Sequence, residues 1–112
     1  MTAQKAARGD DDAARRREIA ALLDSGLETE AFPRADSHEQ VQAILARLRA
    51  IDPGDLARKI AVAGLTDHTI THEDLEQPCE TCMYYLVHRR YCELPELNIP
   101  VEPQWSCRLW RI

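Results

Sequence analysis

All four cysteines of this 112-residue chain fall in its last stretch: the pair Cys79 and Cys82, then Cys92, then Cys107. Both tryptophans and all three tyrosines are interleaved with them, whereas Phe32 is the sole aromatic residue before them. Four thiols gathered by one short segment can close around a single centre. A small chain stapled in this way needs less apolar core of its own.

Composition sets the outer limits. The net charge of −5 argues against nonspecific attraction to nucleic-acid phosphates. No apolar run reaches the length of a membrane span. The opening residues, Met1 to Asp12, contain no apolar stretch of the secretory type. The cytoplasm is therefore the expected compartment. Structural disulfides are disfavoured there, and an even cysteine count points to metal or cluster ligation.

Three segments are expected within one compact domain: a disordered arm over residues 1–9, a helical region over 10–77 and a four-cysteine module over 78–112. Asp10, Asp11 and Asp12 place negative charge where a helix N-terminus favours it, with Ile19, Leu22 and Leu23 as a narrow stripe and Gly26 as a stop. Asp36 or Ser37 can cap a second helix, in which Val41, Ile44, Leu45 and Leu48 share one face. Pro53 suits the first turn of a third helix carrying Leu56, Ile60 and Ala63 and ending at Gly64. Thr71 to Asp74 reads as a capping box for one short turn. Beyond Pro78, the prolines at 95, 100 and 103 predict turns with little regular structure. The expected fold class is thus small α plus irregular, its tail dependent on whatever the thiols hold.

Three kinds of centre compete for the cysteines. Thiolates of Cys79, Cys82, Cys92 and Cys107 can take the corners of a [4Fe–4S] cube. The same four can bind tetrahedral zinc, although structural zinc usually takes two close pairs and only one is close here. Cys79 and Cys82 alone can form a redox dithiol, but the βαβ setting of that motif is missing. Tyr84, Tyr85, Tyr91, Trp105 and Trp110 all lie within three residues of a ligand candidate. Such shielding suits a cluster, whose potential depends on burial. The expected cofactor is the cluster, with zinc as the alternative.

The tail resembles the cluster-binding part of high-potential iron–sulfur proteins. Cys79, Cys82 and Tyr84 match the opening of that pattern, Cys92, Leu94, Pro95 and Val101 its middle, and Cys107 and Trp110 its end. The resemblance covers about residues 78–112 and implies an electron-transfer module with a turn-rich fold of that kind. The small cluster-bearing subunits of glycyl-radical enzymes, such as benzylsuccinate synthase and hydroxyphenylacetate decarboxylase, resemble it too. They imply a subunit docked on a larger enzyme.

The partner expected on this reading is a larger redox enzyme or an electron donor or acceptor protein, with neither nucleic acid nor membrane. A structural zinc-binding interaction protein is a further alternative. Arg89 and Arg90 read as solvated surface and His88 as a surface or satisfied core histidine. His68 and His72, at i and i+4 beside Asp67, Glu73 and Asp74, have metal-ligand spacing. Thr69, Ile70 and Thr71 argue against the helix that spacing needs, which leaves a capped turn. Residues 39–64 carry few side chains suited to reading bases as a helix-turn-helix. No phosphate loop, nucleophile elbow or paired catalytic carboxylates emerge, so no enzyme activity is expected.

Overall fold

The computed structural model describes residues 3–112, with side chains from residue 9 onward. Three helices come first: α1 (Ala3–Asp24), α2 (His38–Arg49) and α3 (Leu56–Ala63). The arm expected at residues 1–9 falls partly outside the described residues, and α1 begins at Ala3.

Local chemistry sets the bounds of α2 and α3. Ser37 accepts from the Gln40 N–H while the Gln40 side chain returns to the Ser37 N–H, a reciprocal capping box. Val41, Ile44, Leu45 and Leu48 are the buried face of α2, as their spacing predicts. Pro53, expected in the first turn of the third helix, lies before it: Asp55 caps α3 by accepting from the Arg58 N–H. Asp52 instead accepts from the Gly54 N–H and makes the turn before it. Gly64 ends α3 in the left-handed conformation at φ 70°.

The expected α-plus-irregular class is corrected by two antiparallel sheets. The first is the hairpin of β1 (Thr71–His72) and β2 (Leu75–Glu76). Glu73 and Asp74 form its two-residue turn, at φ 52° and 65°. Positive φ at both central positions is what a tight hairpin requires, and a helical capping box cannot form there. The second sheet has β3 (Tyr85–Leu86), β4 (Tyr91–Cys92) and β5 (Ile99–Pro100) in the order β3-β4-β5. Tyr85 pairs with Cys92, and Cys92 pairs with Ile99. Pro100 lies on an edge strand, where a missing N–H costs nothing, so it does not break the sheet.

The tail is sewn to the helices by backbone as well as by packing. Thr66 and Ser106 exchange both hydrogen bonds, at 2.7 and 3.2 Å, and the Arg108 N–H donates to Ala63 O at 3.1 Å. Leu94, Leu97, Ile99, Val101 and Leu109 join Ile19, Leu48 and Ile60 in one buried cluster. The tail, expected to depend on whatever the thiols hold, is also packed directly onto the helices by burial of these side chains. No helix among the described residues is long and apolar enough to cross a membrane.

Candidate metal centre

Three potential ligands converge beside the first hairpin. Asp36 precedes the cap of α2, His72 lies on β1, and Glu73 opens the hairpin turn. One ligand atom from each lies within 4.8 Å of the other two. His72 Nε2 is 3.4 Å from Asp36 Oδ2 and 3.9 Å from Glu73 Oε1. The two carboxylates are exposed, and the ring of His72 is only partly covered. Phe32 stands next to it, its ring centre 6.4 Å from the imidazole, and Leu75 pairs with His72 across the hairpin. One imidazole nitrogen and two carboxylate oxygens form a hard-to-borderline donor set of the kind zinc accepts.

The cysteines occupy a different part of the molecule. Cys79 begins a short 3-10 turn (Cys79–Thr81) that Cys82 closes, its N–H donating to Cys79 O at 2.9 Å. Cys92 lies on β4, and Cys107 follows the Thr66–Ser106 bridge. All four are free thiols, and all four line one apolar pocket together with Tyr84, Tyr85 and Trp110. Trp110 is fixed there by its indole N–H, which donates to Pro78 O at 3.0 Å. The other two aromatics expected as shielding are directed elsewhere. Tyr91 stacks under the Arg89 guanidinium at 3.7 Å and donates to Asn98, while the buried Trp105 borders a cleft against α1.

Burial raises the Cys79 thiol well above its ordinary range, and the neighbouring Cys107, Cys92 and Cys82 push it further. Burial likewise raises Cys92, and it pushes Cys107 up to about 11. The backbone N–H groups of Leu94 and Leu109 act the other way on Cys92 and Cys107 respectively, favouring their thiolates.

Comparison with family models, with curated proteins and with solved structures finds no match. The resemblance to high-potential iron–sulfur proteins therefore gains no support from known relatives. The ligand geometry among the described residues corrects it further. No three cysteine sulfurs come within 4.8 Å of one another, and the group that does so is Asp36, His72 and Glu73. The expected [4Fe–4S] cofactor, with the electron-transfer role and the iron–sulfur description built on it, is replaced by an oxygen-and-nitrogen site. The four thiols as placed are also too widely spread for one tetrahedral zinc, whose sulfurs sit about 3.8 Å apart.

Two of the three candidate ligands lie in a stretch that the sequence reading considers for metal and rejects. His72 is weighed there with His68, beside Glu73, and the metal reading is set aside for a capped turn; His68 instead contacts Asp67 at 3.1 Å. Asp36 was legible only as a helix cap. Its approach to His72 is a tertiary contact that no local spacing encodes. Arg89 is likewise more than solvated surface: it forks onto Asp12 at 2.7 and 3.0 Å.

Proposed function

We propose that this chain is a non-catalytic metal-binding interaction protein in which a zinc-class ion is held by Asp36, His72 and Glu73. The observation that carries this reading is the convergence of three ligand atoms from two separate segments within 4.8 Å. An ion there would clasp the start of α2 to the first hairpin. Three protein ligands leave a coordination position open, as in sites that accept a further donor. Phe32 and Leu75 are 57% and 44% exposed beside the site, an apolar margin suited to a larger protein partner. Four free thiols suit a reducing compartment, so the cytoplasm is the proposed location.

Metal analysis of the chain, purified under reducing conditions and equilibrated with zinc, tests this. A single zinc that His72→Ala loses and Cys107→Ser keeps is the expected result. No bound zinc, or iron with acid-labile sulfide that His72→Ala retains, would overturn it.

A further inference from the structure

A cleft of about 220 Å³ opens where α1 lies against the tail, with Ala13, Arg16, Arg17, Arg90, Glu102 and Trp105 in its walls. Three guanidinium groups thus face a single carboxylate, in a chain whose net charge is −5. Glu102 is shared, standing 3.3 Å from Arg90 and 3.7 Å from Arg16. Arg17 is exposed, and among the described residues it meets no carboxylate and no carbonyl. Its helical neighbours three and four residues away are Ala13, Ala14, Ala20 and Ala21, so no acidic side chain of α1 reaches it along the helix face.

Two buried groups in the cleft keep donors that the described residues do not use. Arg16, 8% exposed, commits Nε to Val101 O and Nη2 to the carbonyls of Arg89 and Arg90, which leaves Nη1 without an acceptor. Trp105, 3% exposed, has an indole N–H without an acceptor, whereas the Trp110 indole donates to Pro78 O. Among the described residues, no side-chain polar atom shut off from solvent lacks a partner. The Arg16 Nη1 and Trp105 Nε1 donors therefore reach open space, and the cleft is the space that both residues border. Fixed donors beside surplus positive charge match an anion with several acceptor oxygens.

We infer that this cleft binds a phosphate group, free or as a small monoester. Three arginines against Glu102 leave two positive charges in excess, the charge of a phosphate dianion. Guanidinium forks fit phosphate oxygens in pairs, so the exposed Arg17 and Arg90 suit the outer oxygens. The inner oxygens meet Arg16 Nη1 and the Trp105 N–H. A carboxylate, with two oxygens and one charge, would leave part of this donor set idle. Ala13 and Trp105 give the cleft apolar walls, and a cavity of about 150 Å³ already holds benzene, so a small organic body fits beside the phosphate. The site is independent of the zinc-class centre, since Asp36, His72 and Glu73 do not line it.

The test is a titration of the full chain, with no added metal, followed through the two indole N–H signals in proton NMR. Inorganic phosphate and methyl phosphate are the probes, and Trp105→Phe assigns the signals. The expected result is a saturable shift of the Trp105 signal, while that of Trp110, already hydrogen-bonded, stays in place. Acetate at matched ionic strength should move it far less. Arg17→Met should weaken phosphate binding about tenfold, the loss of one charge-assisted contact, with the urea midpoint unchanged. Glu102→Gln should tighten binding by removing the competing carboxylate. Tighter binding of methyl phosphate would identify an ester as the ligand and equal binding the phosphate group alone; both support the site. A Trp105 signal that stays still, or that acetate moves equally, overturns the inference. So does unchanged affinity in Arg17→Met, or weaker binding in Glu102→Gln.

Discussion

Arg16 of α1 donates its Nε–H to the carbonyl of Val101 at 3.1 Å, joining the first helix to the end of β5. Its Nη2 reaches Arg90 O at 3.0 Å, and Arg90 sits in the left-handed region at φ 51°. That turn points the Arg90 carbonyl at two donors, the guanidinium and the Val101 N–H. A long helix with few buried side chains is thereby tied to the tail by a nearly buried cation, alongside the Arg89–Asp12 pair and the packing of Ile19.

Arg16→Met should accordingly cost about 1–3 kcal/mol, since it leaves the buried Val101 carbonyl without this donor and takes one of two donors from the Arg90 carbonyl. Arg16→Lys should recover only part, because one ammonium cannot fork to both acceptors. Urea midpoints measure the loss, and amide exchange at Val101 should quicken in step. A midpoint unchanged in the methionine variant would show that α1 is held by other contacts.

Gly64 is required for two reasons that act together. Its φ of 70° disfavours any side chain, and a Cβ there would collide with the backbone carbonyl of Glu30. That carbonyl cannot easily retreat, because the Glu30 N–H donates to Ala61 O at 2.8 Å. Gly64→Ala should cost about 2–4 kcal/mol, as strain and overpacking combine. Gly26 provides the control, with φ 94° and nothing within 4 Å of its Cβ position. Gly26→Ala should cost only about 1 kcal/mol, the backbone penalty alone. Equal losses at the two positions would mean that Glu30 yields.

Ser37 and Gln40 begin α2 reciprocally, and Gln40 Oε1 also accepts from the Asp36 N–H at 2.9 Å. Ser37→Ala should cost about 1 kcal/mol of stability. Gln40→Ala should also loosen Asp36, so zinc affinity should fall more for Gln40→Ala than for Ser37→Ala. The reverse order in a calorimetric titration would separate the cap from the metal site.

The parts of the fold legible in the sequence were those governed by neighbours within a turn or two. The stripe from Val41 to Leu48, the Ser37 cap and the Gly64 stop all act locally, and all three stand. The strands were not legible, because each is two residues long and too short to show alternation. The hairpin turn was hidden because Glu73 and Asp74 adopt φ above zero without a glycine to announce it. The candidate centre depends on the approach of Asp36 to His72, and Arg34 gave no sign of burial in a chain whose arginines look solvated. Such contacts follow from how the tail docks on the helices.

The buried thiols also fix the pH dependence of the metal-free chain. An unperturbed cysteine here has a reference value of 9.0, and burial pushes Cys107 up to about 11, with the Cys82 charge adding to it. Cys79 and Cys92 move in the same direction for the same leading reason. Between the unfolded and folded values the native state therefore binds more protons than the unfolded one. Stability falls with pH wherever that holds, so this contribution is fully present below pH 9.0 and is lost as pH rises through about 11. The urea midpoint of chelator-treated protein should stay level up to that lower bound and then decline. Cys107→Ser should make the decline shallower, since a hydroxyl does not titrate in this range. A midpoint that rises over the window would mean that these thiols are more easily ionised in the folded chain than in the unfolded one, contrary to their burial.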